Sequence, residues 1–221
     1  MSTFADIATK QEELIRKALD GSVFKADLSA PHVDAATLFG PDGSLAMLPT
    51  GYEDAGLLND DGMAWSRSVS TADTTAFGRT SPVRTDVTAD TDTLAITAIE
   101  TKKGTIEMGT GATLSAGSRS ATNGSLEIKK PPRPSPRMFH WLGISVDETD
   151  MGEIYVCRYF PRGKITAYGD QAYSGANAIG WNVTVTGEND SDWGSPSSWI
   201  FGGPGWNALL VKMGFTAFPV V

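Results

Sequence analysis

The sequence predicts a mainly β protein, built as a sandwich or a barrel. Short strand-like runs recur through the chain, and segments rich in Gly, Ser and Pro separate them. Within one run, Leu94, Ile96 and Ala98 share a face, because successive side chains of a strand point to opposite sides. The runs are 65–70, 93–101, 105–108, 126–129, 138–146, 153–160, 164–168 and 181–186.

The N-terminal quarter predicts one helix and then an irregular arm. Thr9 and Glu12 have the spacing of a capping box, apolar residues follow at helical intervals, and Gly21 is a natural stop. We therefore expect an amphipathic helix over 9–20. From 27 to 57 repeated Gly and Pro residues interrupt any long element, which indicates an arm or loop laid over the surface.

Three later stretches, 109–124, 130–137 and 187–196, are expected to be mobile loops or contact segments. The second is rich in proline, which favours an extended path. A local excess of positive charge lies there, and it is either a docking segment for an acidic neighbour or a solvated loop. Its basic residues are Lys129, Lys130, Arg133 and Arg137.

Composition argues against several functions. The formal net charge of −8 disfavours tight DNA binding, which depends on Lys and Arg contacts to phosphates. No apolar run approaches the length of about 20 residues that spans a bilayer. Cys157 is the only cysteine, so we expect no intrachain disulfide and no zinc cluster with the two histidines.

The candidate catalytic and metal-binding residues favour structural explanations. Cys157 and His140 lie in apolar runs, which favours packing in the core over a nucleophile and its base. Asp86, Asp90 and Asp92 lack the glycine and the terminal Glu of a calcium loop. The glycines of 109–117 do not form a phosphate-binding motif. We therefore expect no enzyme activity, no cofactor and no metal.

Four late tryptophans leave two interpretations open. They lie near Gly, Ser or Pro, which is typical both of a carbohydrate platform and of packing at sheet ends and subunit contacts. Packing is the favoured interpretation. The residues are Trp181, Trp193, Trp199 and Trp206.

The stretch 51–103 resembles the signature region of siphophage major tail proteins, of the actinobacteriophage type. The likeness lies in the order of its parts, which here read Gly51-Tyr52, Asp61-Gly62, Trp65, Phe77-Gly78, Arg84-Thr85-Asp86 and Glu100-Thr101. Residues 14–25, Phe160-Pro161-Arg162 and the Gly-rich motif 202–206 are similar to further family elements. Met108-Gly109 and the apolar tail 207–221 depart from the family pattern.

The resemblance implies a fold, an assembly and a location. The fold is two packed antiparallel sheets in a sandwich or partial barrel, with one flanking helix and with an arm and a long loop that reach neighbouring subunits. A single domain over 1–221 would comprise helix and first strand (1–25), arm (26–64), β core (65–206) and tail (207–221). Hexameric rings would stack into a tail tube that conducts DNA without binding it specifically, in a virion tail made in the host cytoplasm.

The resemblance also implies partners and candidate contact residues. Besides other copies of the chain, these partners are the tape measure, tail tip and tail terminator proteins. Residues expected at subunit or ring contacts are Trp65, Phe77, Gly78, Arg79 and Arg84, the two arginines facing carboxylates of an adjacent subunit.

An acidic channel wall would repel DNA phosphates, so the negative net charge suits a conduit. The candidates for that wall are Asp86, Asp90, Asp92, Glu100 and Glu107. The main alternative is an extracellular β-sandwich binding module, an adhesin or carbohydrate-binding domain, which the β pattern and the late tryptophans would also fit.

Overall fold

The computed structural model describes residues 3–115, 118–120, 122–130 and 137–217 and confirms the mainly β prediction. Eight strands form one antiparallel sheet. Their bounds are β1 Asp20–Asp27, β2 Glu53–Asp54, β3 Leu58–Thr75, β4 Pro82–Ala98, β5 Met138–Thr149, β6 Gly152–Tyr168, β7 Trp181–Gly187 and β8 Ser198–Gly202. The short helices are α1 Phe4–Ile7, α2 Ala35–Leu38, α3 Lys103–Thr110 and α4 Pro204–Leu209, with a 3-10 turn at Glu12–Leu14.

The long strand β6 joins two halves of the sheet. Its first part pairs with β5 and with β8, whereas its last residues pair with β7. The first half-sheet therefore contains β2, β1, β5, the start of β6, and β8. The second half-sheet contains the end of β6, then β7, β4 and β3. The sheet does not close, and its two halves enclose one core, as expected of a partial barrel.

This main core takes side chains from both half-sheets. Leu94 and Ile96 of β4 point inward, as their alternation predicts, and meet Trp141 of β5 and Phe160 of β6. Both aromatic side chains are fully buried. Met108 of α3 also joins this core, so α3 is the helix that flanks the sheet.

A second core lies on the other face of the first half-sheet. Leu142 and Tyr159 point outward from this half-sheet and are covered by Val33 and Leu38 of the arm. The arm therefore buries a face that would otherwise be open to solvent. This arrangement explains why β6 is apolar on both faces, because it lies between two cores.

The prediction of a helix over 9–20 is wrong. Only Glu12–Leu14 forms a 3-10 turn, and Leu19 donates a backbone hydrogen bond to Val146 of β5. Ile15 and Leu19 are mostly exposed, so a helix here would have no core against which to pack its apolar face. Helices of this length are marginal without such packing.

The strand predicted over 105–108 is also wrong, because these residues belong to α3. Thr105 and Met108 are buried one helical turn apart, and Gly111 ends the helix with a φ of 69°. A short apolar run fits a helix or a strand equally well from its pattern alone. The run 126–129 forms no strand either, since its only pairing with another described residue is a bridge between Leu126 and Arg119. β3 begins at Leu58, inside the stretch expected as arm.

Candidate assembly surfaces

The hairpin of β3 and β4 projects beyond the rest of the sheet. β7 pairs with β4 only over Thr93–Ala98, so the remainder of β4 has β3 as its sole neighbour among the described strands. Residues 66–90 are exposed throughout. At the tip Phe77 is fully exposed, and Gly78 turns the chain with a φ of 75°, which favours glycine. A long ribbon that buries so little within its own chain is a natural contact element.

The base of this hairpin is fixed by Arg158 of β6. Its guanidinium lies between the rings of Trp65 and Trp199, at 4.6 and 4.4 Å from their centroids. Arg158 also donates a hydrogen bond of 3.2 Å to Asp92, which accepts a second one from Ser197. Burial lowers the pKa of Arg158, and the neighbouring Asp92 opposes that effect. One buried cation thus connects β3, β4, β6 and β8.

The residues predicted at subunit contacts fall into two places. Trp65 lies at the hairpin base, where its ring packs edge-on against Phe160 of the same chain. Phe77, Gly78 and Arg79 lie together at the exposed tip.

Arg84 lies in the outer part of β4, where it is also exposed. It pairs at 2.8 Å with Asp86 of its own strand. The structure therefore brings together the tip residues but does not join them to Trp65.

The structure separates the five acidic candidates. Asp86 and Asp90 lie on opposite faces of the hairpin, because a bulge between them shifts the alternation of β4. Asp90 pairs with Arg67, and that hydrogen bond lowers the pKa of the Asp90 carboxyl. Asp92 is buried against Arg158.

The other two acidic candidates lie near α3. Glu100 pairs with Lys102 at 2.8 Å, and this hydrogen bond lowers the pKa of Glu100. Glu107 lies on α3, with its carboxylate 3.9 Å from the ammonium of Lys25. These two carboxylates lie in surroundings separate from those on the hairpin.

A band of small, mostly hydroxyl-bearing side chains covers the outward face of the second half-sheet. Ser66 and Thr93 make contact across β3 and β4 through their hydroxyl oxygens, at 3.2 Å. Thr166 and Thr186 do the same across β6 and β7, at 2.8 Å. The band consists of Ala64, Ser66, Thr93, Ala95, Thr97, Thr166, Asn182, Thr184 and Thr186.

The sequence analysis missed this hydroxyl band. The signal was present in the alternation at 93, 95 and 97 and at 182, 184 and 186, where small side chains, all polar except Ala95, occupy every second position. Lys164 borders the band but is paired with Glu188 at 2.9 Å. The band is therefore close to neutral.

The second half-sheet ends in a strand without a further neighbour on each side. In the part of the chain that the structure describes, β3 pairs only with β4, and β6 beyond Lys164 pairs only with β7. Every pairing between them is antiparallel, so β3 and the end of β6 run in opposite directions. A β3 from another copy, placed beside β6, would continue the antiparallel order.

The residues considered for catalysis belong to the second core and its cover. Cys157 is fully buried, and burial raises the pKa of its thiol to about 12. His140 is buried as well and contacts the hydroxyl of Tyr159 and the carbonyl oxygens of Pro161 and Ala30. The pKa of His140 is lowered, chiefly by burial and further by the nearby His32. A buried thiol of this kind is a poor nucleophile.

All four late tryptophans pack within the chain, and Trp181 packs against the main core. Trp193 stacks on His32 with ring centroids 5.1 Å apart, and Trp206 stacks on Phe201 at 5.1 Å. Trp199 covers Arg158. Within the described ranges, no group of three or more His, Cys, Asp or Glu residues could hold a metal ion. No helix in these ranges has the length and apolar character needed to cross a bilayer.

Comparison with known proteins agrees with the architecture. A family model described as phage tail tube protein matches residues 8–205, which is most of the chain. No curated protein matches the sequence. The projecting hairpin, the open sheet with two unpaired strand edges, and this match lead to one conclusion: the chain belongs to the phage tail tube protein family, whose members are structural components of the virion tail.

Proposed function

We propose that six copies of this chain close into a ring and that rings stack into the tube of a long, non-contractile siphophage tail. The observation that carries the proposal is the pair of unpaired edges on the second half-sheet. A head-to-tail ring satisfies both edges at once, because β3 of each copy meets β6 of the next. Such closure removes exposed strand edges, which otherwise promote aggregation.

The channel wall in this proposal is the hydroxyl band. The inward face of the second half-sheet is filled by the main core, so its other face is the one available to a channel. A neutral, hydroxyl-rich wall presents no cationic side chains to the DNA phosphates. It therefore gains no affinity for DNA from the release of counterions. Of the five acidic candidates, Asp86 shares the face of this band and remains a candidate for the wall where the hairpin extends.

The hairpin supplies contacts beyond the barrel edges. Phe77, Gly78 and Arg79 at the tip are free to reach an adjacent subunit or ring. Arg84 and its partner Asp86 stand exposed on the outer part of the same ribbon. In the assembled tail we expect the tape measure protein inside the tube and tail tip and terminator proteins at its ends. The role is structural, with no enzyme activity and no cofactor, and the chain is made in the host cytoplasm.

Electron microscopy of the purified, concentrated protein tests the proposal. We expect rings or filaments of uniform bore with six subunits per turn, and a reconstruction in which Thr93 and Thr184 face the channel. Thr184→Lys places a cation in the band without touching the core, so its tubes should retain DNA that wild-type tubes release. A glycan-binding monomer that does not assemble, even on purified tail tips, would instead favour an extracellular binding module.

A further inference from the structure

An acidic groove opens between the first residues of β1 and the start of β3. Its volume is about 610 Å³, and the acidic side chains on its walls are Asp20, Asp54, Asp60, Asp61 and Glu100. Among the described residues no basic side chain lines the groove, but the ammonium of Lys102 lies at its edge, paired with Glu100 at 2.8 Å. In a chain whose net charge is −8, this is a concentrated patch of negative charge facing an open cleft.

Four of these carboxylates form no ion pair among the described residues. Asp54 accepts hydrogen bonds from Ser22 and the backbone of Gly56, and Asp20 from the backbone of Gly21. Asp61 accepts one from the side-chain amide of Asn59. The direct hydrogen-bond donors to these oxygens are neutral, and the one nearby cation, Lys102, pairs with Glu100 and interacts with Asp54 only electrostatically.

The backbone beside the groove is also incompletely paired. β2 pairs only with Phe24 and Lys25, so among the described strands β1 from Asp20 to Ser22 has β5 on one side alone. On the opposite wall, residues 59–62 bulge out of β3 against the single residue Thr97. Leu19 and Leu57 stand largely exposed at the rims. The groove therefore combines negative charge with apolar rims. These are the features that bind an extended segment containing lysines and aliphatic residues.

The chain itself contains a segment of that chemistry. Residues 126–130 read Leu-Glu-Ile-Lys-Lys and lie outside the helices and strands, and among the described residues their one ladder pairing is a bridge from Leu126 to Arg119. Their pattern predicts a strand, yet the described part of the fold gives them no place in the sheet. Lys129 is almost fully exposed, and its contact with Glu127 is a long surface pair at 3.9 Å.

We propose that residues 126–130 of one subunit dock in the acidic groove of a second copy of this chain. Neighbouring side chains of an extended segment point in opposite directions, so Lys129 and Lys130 reach the two walls separately. One lysine meets Asp20 and Asp54, and the other meets Asp60 and Asp61. Leu126 and Ile128 point in the same direction as Lys130, so they contact the apolar rim on that side. The contact rests on the proposed head-to-tail assembly, in which each copy offers a different surface to each neighbour.

Charge reversal with mixing tests this contact. Asp60→Lys with Asp61→Lys reverses the groove, and Lys129→Asp with Lys130→Asp reverses the segment. Each variant alone should raise the concentration needed for assembly at least about tenfold, because like charges then face each other. An equimolar mixture should restore assembly, since copies that alternate around an even-numbered ring meet only opposite charges. Glu148→Lys with Asp150→Lys, exposed and outside the groove, makes the same change in net charge as the groove variant and should assemble normally.

The outcomes separate this contact from the proposed function. If wild type forms tubes and each reversed variant does so equally well, the contact is refuted and the tube stands. Failure of the mixture to recover when both variants are folded, as checked by circular dichroism and urea unfolding, also refutes it. If wild type forms no rings on its own or on tail tips, the proposed function falls. A lysine–carboxylate cross-link between 129–130 and 60–61, joining isotope-labelled to unlabelled copies in wild-type tubes, would support the contact directly.

Discussion

Replacing Asp92 by alanine is expected to destabilise the folded subunit by about 3 kcal/mol, the lower end of the range for breaking a buried ion pair. The side chains of Asp92 and Arg158 are 8% and 12% exposed, and their closest nitrogen and oxygen atoms are 3.2 Å apart. Without the carboxylate, the guanidinium stays buried and loses its counter-charge. The rings of Trp65 and Trp199 still cover it and offset part of the cost, which places the loss at the lower end.

Asp90→Ala is the matched control. Asp90 is two residues away on the same strand and pairs with Arg67, but the two side chains are 41% and 56% exposed. Water and salt screen such a pair, so its loss should leave stability unchanged within error. The stability of both variants is measured by urea unfolding of the monomer. With a slope of about 2–3 kcal/mol per molar, Asp92→Ala should lower the midpoint by about 1 M.

Equal midpoints for the two aspartate variants would refute the argument, because burial is what distinguishes the pairs. A double variant supplies a second check. Asp92→Leu with Arg158→Met removes both charges together, so it should recover most of the stability that Asp92→Ala loses. A double variant as unstable as the single one would show that the cost lies in packing and not in the unpaired charge.

Three further predictions concern the core and the hairpin tip. Burial lowers the pKa of His140 below the unfolded value of about 6.5, so the unfolded chain binds more protons and the free energy of unfolding falls as the pH drops below about 6.5. The urea midpoint should therefore be lower at pH 5.5 than at pH 7.5. His140→Gln should reduce this difference between the two midpoints. Cys157, with a pKa near 12, should resist thiol reagents at pH 8 until urea unfolds the chain. Phe77→Ser should keep the wild-type urea midpoint, since Phe77 is fully exposed, but should impair assembly as seen by electron microscopy.

The sequence by itself determined the β class, the family and much of the core. Alternation at 94, 96 and 98 gave the inward face of β4, because the period of a strand is a local property of the backbone. The apolar character of Cys157 and its neighbours predicted a buried position, and the thiol is fully buried. The order of short motifs between Gly51 and Lys103 indicated the family, which the family match confirms.

Tertiary structure decided where charges and edges lie. Asp86, Asp90 and Asp92 look alike in sequence, yet their surroundings differ. A bulge in β4 places Asp86 and Asp90 on opposite faces of the hairpin, and Asp92 forms a buried ion pair with Arg158. Similarly, 9–20 has a helical pattern but no core to pack against, whereas 105–108 has a core and becomes part of α3. Pairing and burial depend on residues far apart in the chain, so a local pattern states what a segment favours and only the packed fold decides which preference prevails.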